Sequence, residues 1–210
     1  MKTDDLINVL SQDGEATRRE SLGLKLAVAA LVGLGVGVLL VVFTEGVRPD
    51  FTKNAGQVAL KATFSAVFAA AALPVAARLA RPGNKVGAWI GATFVIGLAC
   101  VLISGFLLMP PAEDAVGGLI GGVVPIAFLI IPALATPAAI VIFSWYRQNA
   151  PTRLGLAGAS VGAMSGGLGA MAYALVCPVD DMGFVSIWYG AAIVVCTMVG
   201  ALVGPRVLRW

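Results

Sequence analysis

Long apolar runs separated by short polar stretches fill the chain from residue 22 onwards. An α-helix needs about 20 apolar residues to cross the hydrocarbon core of a bilayer. Six windows meet this requirement: 22–43, 60–80, 86–108, 118–145, 154–176 and 184–204. The pattern predicts an all-α integral membrane protein with six transmembrane helices. Residues 22–210 form the membrane domain, and residues 1–21 form a polar N-terminal segment.

The composition supports this prediction, because 59% of the residues are hydrophobic and only 12% are charged, against about a quarter charged in soluble domains. The first apolar run is not expected to be a cleaved signal peptide. It is too long, follows an acidic segment and lacks a small-residue cleavage site. The basic residues stand at helix ends rather than in one patch, so the lipid bilayer is the expected partner and nucleic acid is not.

The charges predict the orientation of the chain. If both termini are cytoplasmic, only three of the 14 basic residues lie outside, namely Arg48, Lys53 and Lys61. Cytoplasmic loops carry an excess of Lys and Arg. The short loops 110–116 and 178–183 are therefore expected to face the periplasm, and the protein is expected in the bacterial inner membrane as a multi-pass protein.

The fourth window is unusual, because it is long and contains several glycines and prolines. Proline removes a backbone donor and clashes with the preceding turn, so we expect this helix to be kinked, tilted or partly irregular. Pro132 and Pro137 are candidate hinge residues. The alternative is that these prolines only shape helix packing.

Small residues recur every four positions on three of the predicted helices. Such stripes let helix backbones approach closely in a membrane. The residues are Gly158, Gly162, Gly166 and Ala170 in the fifth window, Gly33 and Gly37 in the first, and Gly200 and Gly204 in the sixth. They fit packing within one bundle or between two protomers, so a homodimer stays open.

The sequence contains no recognisable catalytic or cofactor site. It has no histidine, no CxxC pair, no phosphate-binding loop and no acidic residue within a predicted span, so no catalytic residue, metal or cofactor is expected. Lys61 is expected to extend its side chain to the membrane interface. A carrier or channel for a neutral solute would need no buried charge, and it is the alternative function.

Three cysteines are present, and Cys177 differs from the other two by its place at the end of the fifth window. With 1.5 Å of rise per residue, Cys100 and Cys196 lie about 12 Å and 19 Å deeper than Cys177. A disulfide requires Cα atoms within about 7 Å, so an intramolecular partner for Cys177 is not expected. Cys177 is expected at the aqueous boundary as the most reactive thiol. With Asp180 and Asp181 it forms a candidate sensing site, although these groups would make only a loose metal site.

The N-terminal segment carries a short amphipathic pattern. Thr3 is a suitable N-cap, and Asp4 and Asp5 then fall in the first turn, where the helix dipole favours negative charge. Leu6, Ile7 and Leu10 share one face. The pattern predicts a helix over 3–12 that docks into a partner's groove, followed by a tether. The alternative is a helix on the bilayer surface, but such helices favour Lys and Arg on the polar face.

Several stretches together resemble the NrsF family of six-span bacterial anti-sigma factors. They are TDDLI with Leu10 at the start, APTR at 150–153, Tyr173-Ala-Leu-Val-Cys177-Pro, Trp188-Tyr189-Gly190, and the closing Gly204-Pro-Arg-Val-Leu-Arg-Trp210. The resemblance implies a negative regulator that holds an extracytoplasmic-function sigma factor at the inner membrane until envelope, metal or oxidative stress releases it. Combined with the amphipathic pattern, it makes Thr3, Asp4, Asp5, Leu6, Ile7 and Leu10 the candidate sigma-binding residues.

One position departs from the family pattern. The family typically has a second cysteine about fifty residues before the one that matches Cys177, and Ala127 stands there in this chain. Pro132 and Pro137 do match the family. If the family senses its stimulus with two thiols, this protein lacks that mechanism or uses a different partner for Cys177.

Overall fold

The structure is a computed structural model, and it describes residues 22–80, 86–107, 124–149 and 151–209. These residues form helices and connections and contain no strand. The helices are α1 (Leu22–Thr44), α2 (Ala55–Leu79), α3 (Gly87–Leu107), α4 (Val124–Arg147), α5 (Leu154–Tyr173) and α6 (Met182–Val207). The predicted all-α class is confirmed.

Within the described ranges, α1, α2, α4, α5 and α6 are long and apolar enough to cross a membrane. Helix α3 contributes a shorter apolar stretch, Gly87–Ile103. The membrane character of the chain is therefore confirmed, while the six-span count and the orientation stay predictions. The N-terminal segment 1–21 lies outside the described residues, so its boundary with the membrane domain also stays a prediction.

Helix α5 lies at the centre of the bundle, in contact with α1, α2, α4 and α6. Its glycine stripe faces the stripe on α6. A Cβ on Gly158 would lie 2.7 Å from the Cα of Gly204, and a Cβ on Gly162 would lie 3.0 Å from the Cα of Thr197. The backbones approach this closely because glycines without side chains, Gly158 and Gly162 on α5 and Gly200 and Gly204 on α6, lie at these contacts. These glycines therefore pack helices within one chain, which is the first of the two uses that the sequence allowed.

Other glycines fit α5 against its remaining neighbours. A Cβ on Gly167 would lie 2.9 Å from the backbone of α2 at Ser65, and a Cβ on Gly169 would lie 2.7 Å from the backbone of α4 at Ala135. A Cβ on Gly33 of α1 would lie closer still to the backbone of Ala138 in α4. The small-residue stripe of the first predicted window therefore also packs helices within the bundle, namely α1 against α4.

Helix α4 runs without a break from Val124 to Arg147 and contains both Pro132 and Pro137. The hydroxyl of Thr136 donates a 3.0 Å hydrogen bond to the carbonyl of Pro132. Residues 118–123 of the predicted window lie outside the described residues. A hinge at the two prolines stays a prediction.

Two buried clusters occupy opposite ends of the bundle. One contains Leu26, Val86, Tyr146 and Leu208, and the Tyr146 hydroxyl donates to the carbonyl of Ala76. The other, which we call the Cys177 end, surrounds the connection 174–181 between α5 and α6. It contains Val41, Ala127, Tyr173, Cys177 and Tyr189, all buried.

Candidate functional site at the Cys177 end

Three charged side chains join the two connections at the Cys177 end. The guanidinium of Arg48, in the α1–α2 connection, donates from both terminal nitrogens to the Asp180 carboxylate, at 2.7 and 2.8 Å. The ammonium nitrogen of Lys61 lies 2.8 Å from the same carboxylate. We call these three residues the clasp. It ties α2 and the α1–α2 connection to the α5–α6 connection.

Lys61 has no exposed side-chain surface, so the prediction that it extends to the membrane interface is wrong. It lies near the start of α2, within a candidate membrane span. A buried ammonium is costly unless it is paired and hydrogen-bonded, and Asp180 together with the Cys177 carbonyl, 3.1 Å away, supplies both. Ionisable groups inside membrane helices are rare, so this one is a candidate functional residue.

The clasp also binds the backbone beside Cys177. The Cys177 carbonyl accepts hydrogen bonds from Lys61 and, at 3.4 Å, from Arg48. The Cys177 side chain is fully buried, with its sulfur 3.8 Å from the carbonyl of Val179. The expectation of an accessible thiol at the aqueous boundary is therefore wrong. Cys100 is more exposed, and none of the three cysteines forms a disulfide.

The Asp181 side chain hydrogen-bonds to the helix that follows it, α6. Its carboxylate accepts from the backbone N–H groups of Gly183 and Phe184, at 3.0 and 3.1 Å, and so caps the start of α6. Asp180 is committed to the clasp. Both carboxylates therefore bind partners other than the Cys177 thiol. No group of three metal-ligating side chains occurs among the residues described.

The pairing of Arg48 with Asp180 shifts the pKa of both groups. Hydrogen bonding by Arg48 lowers the pKa of Asp180 below its usual value, with Lys61 adding to the effect and partial burial opposing it. The same hydrogen bond raises the pKa of Arg48. Asp180 is therefore a carboxylate at neutral pH.

Helix α6 begins irregularly. After one α-helical turn, Met182–Phe184, it passes through a π-helical stretch, Val185–Tyr189, and continues as an α-helix from Gly190. The rings of Tyr173 and Tyr189 lie 5.7 Å apart. The Tyr189 hydroxyl is buried, and no described residue hydrogen-bonds to it. Single π-helical turns inside α-helices often occur at functional sites.

Of the predicted sites, the candidate sensing site and the candidate hinge lie among the described residues. Cys177, Asp180 and Asp181 are neighbours, although their roles differ from those expected. Thr3, Asp4, Asp5, Leu6, Ile7 and Leu10 lie outside the described residues. Sequence reasoning missed the pairing of Arg48 and Lys61 with Asp180, although it placed all three on the same side of the membrane.

Comparison with known proteins agrees with the resemblance seen in the sequence. The family model NrsF, described as "Negative regulator of sigma F", matches residues 10–210. The chain belongs to the NrsF family. Among curated NrsF proteins, "Anti-sigma-F factor NrsF" of Caulobacter vibrioides is 31% identical over the full length of both chains. "Probable anti-sigma-F factor NrsF" of Azospira oryzae is 29% identical, also over the full length of both. No solved structure matches the chain.

Ala127, where the resemblance seen in the sequence leads us to expect a second cysteine, is fully buried in α4 and belongs to the same cluster as Cys177. A small apolar side chain therefore packs at this position of the Cys177 end.

Proposed function

We propose that this protein is a membrane-bound anti-sigma factor. It holds an extracytoplasmic-function sigma factor at the inner membrane and releases it on envelope, metal or oxidative stress. The observation that carries this proposal is the NrsF match over residues 10–210, together with relatives named as anti-sigma-F factors that align over their full length. The role is regulatory rather than enzymatic.

The proposed topology has six spans and two cytoplasmic termini. The distribution of basic residues supports it, as do five apolar helices of sufficient length and the additional apolar stretch of α3. This orientation puts the N-terminal segment on the same side of the membrane as a sigma factor, and it puts the clasp on the periplasmic side.

The N-terminal residues 3–12 are the proposed sigma-binding element. Leu6 and Leu10 lie on one face of the predicted helix, so either change to Ala removes an apolar anchor from the partner's groove. If these residues are hot spots, each change costs about 2 kcal/mol of binding energy, and binding weakens roughly thirtyfold. Asn8 lies on the opposite face, so Asn8→Ala is the matched control and should bind like the wild type.

The decisive experiment uses unstressed cells in which the chain lacks residues 3–12 but inserts into the membrane at normal levels. Sigma-dependent transcription should rise to the level of a strain without the antagonist. Persistent repression would place the binding surface elsewhere, in the loops near Arg81 or Arg147. The variants Asp4→Lys and Asp5→Lys should weaken binding in a salt-dependent way, because their contribution is electrostatic.

The alternative function is a carrier or channel. Lys61 is a buried ionisable residue, and such groups in membrane helices often mark ion or proton pathways. However, Lys61 is paired with Asp180 and lies near one end of α2, where it ties that helix to the α5–α6 connection. Purification from detergent extract separates the two functions, because only an anti-sigma factor should bring a sigma factor with it.

A further inference from the structure

The π-helical stretch in α6, Val185–Tyr189, differs from a regular α-helix in its register. A π-helical turn contains one residue more than the α-helical turn it replaces. If Val185–Tyr189 reverted to α-helix, Met182 and Phe184 would rotate by about 100° and shift by about 1.5 Å relative to the rest of α6. Both side chains are buried at the Cys177 end. The two arrangements would therefore differ in how this end is packed.

The clasp is placed to select between these arrangements. Asp180 directly precedes Asp181, which caps α6, so the ion pairs with Arg48 and Lys61 hold the first turn of α6 in position. Asp180 is the only charged partner of Lys61 among the residues that the structure describes. Without it, a buried cation would be left unpaired, which strongly favours opening of the surrounding structure.

We propose that the Arg48–Asp180–Lys61 clasp is a conformational latch that keeps α6 in its π-helical register and the Cys177 end closed. When Asp180 is lost or neutralised, Lys61 hydrates, the connection 174–181 lifts, and α6 relaxes towards a regular α-helix. The latch is a property of the fold. Its effect on partner binding rests on the anti-sigma function proposed above.

The thiol of Cys177 reports on the latch, because it is fully buried in the closed state. The test uses full-length protein in detergent, with Cys100→Ala and Cys196→Ala as the common background, and measures the rate of maleimide labelling at neutral pH. Asp180→Asn should raise this rate by about a hundredfold, because an unpaired buried charge opens the structure. Arg48→Gln should have a smaller effect, because the remaining partner still pairs Lys61.

The double variant Lys61→Met with Asp180→Asn separates the latch from general damage. Removing both charges leaves no buried cation, so labelling should return to within about threefold of the background protein. Labelling that stays high in the double variant, or that does not rise in Asp180→Asn, would overturn the proposal. If Asp180→Asn fails to fold, recovery of folded protein in the double variant supports the latch, and failure of both refutes it.

A second measurement links the latch to the proposed function. In unstressed cells, Asp180→Asn should raise sigma-dependent transcription, and the double variant should restore repression. If labelling follows the latch but no variant changes transcription, the latch exists and its coupling to the partner is refuted. If removal of the whole protein also has no effect on transcription, it is the anti-sigma function that fails.

Discussion

Replacing Gly158 by Ala tests the central seam of the bundle directly. The new Cβ would lie 2.7 Å from the Cα of Gly204 and closer still to the carbonyl oxygen of Gly200. These are backbone atoms of a packed helix, so they cannot turn aside as a flexible side chain would. Helices α5 and α6 must separate by several tenths of an ångström or more, and a gap of about 0.5–1 Å forfeits a quarter to a half of the dispersion energy at each contact.

The expected loss is the difference between two effects. Overpacking a close contact costs about 1–3 kcal/mol, while Gly to Ala in a helix gains about 1 kcal/mol of helix propensity. The net destabilisation should be up to about 2 kcal/mol, which corresponds to a melting temperature lower by up to about 8 °C for a chain of this length. Thermal unfolding of the detergent-solubilised protein, followed by tryptophan fluorescence, measures it.

Gly155→Ala is the matched control, because it lies one turn earlier in α5 and its Cβ would lie an ordinary 3.9 Å from the carbonyl oxygen of Ala201. This variant should melt at the wild-type temperature or slightly above. If Gly158→Ala melts no lower than Gly155→Ala, α5 and α6 are not in backbone contact, and the argument from the glycine seam is wrong.

Three further results are expected. The difference in melting temperature between the wild type and Asp180→Asn should be constant from pH 8 to 5 and shrink only as the pH falls below about 4. The reason is that the lowered pKa of Asp180 keeps its carboxylate charged down to that range. A difference that vanishes by pH 6 would contradict this. Tyr146→Phe should cost about 1 kcal/mol, because the Ala76 carbonyl loses a buried donor, and an unchanged melting temperature would show that this hydrogen bond contributes nothing. A periplasm-active reporter fused after Trp210 should be inactive and a cytoplasm-active one should work, and the opposite pattern would refute the six-span topology.

The helices and the glycine seam were predictable from sequence because they follow from regular spacing. The four-residue repeat that starts at Gly158 defines one helix face, and in a membrane such a face has few uses other than close packing. The sequence could not assign the partner helix, because packing within the chain and between chains requires the same small residues. Only the three-dimensional arrangement shows that this face of α5 packs against Gly200 and Gly204 of α6.

The candidate site was harder to predict, because it depends on contacts between distant segments. Lys61 and Asp180 are more than a hundred residues apart, and a lysine near the end of a predicted span is usually solvated at the interface. Its burial depends on how α2 packs against the α5–α6 connection. Cys177 is buried for the same reason, since a position at the end of a helix does not determine whether the following connection folds back over it.

Helix α5 combines the most extensive burial of the five candidate spans with the lowest hydropathy. Its glycines allow close packing within the bundle. They contribute little, however, to the free energy of transferring the segment from the translocation machinery into lipid during synthesis. A helix of this kind gains most of its membrane stability from its neighbours. We therefore expect α5 to enter the bilayer together with the more hydrophobic α6, as a helical hairpin, and a nascent chain truncated before α6 should integrate α5 poorly.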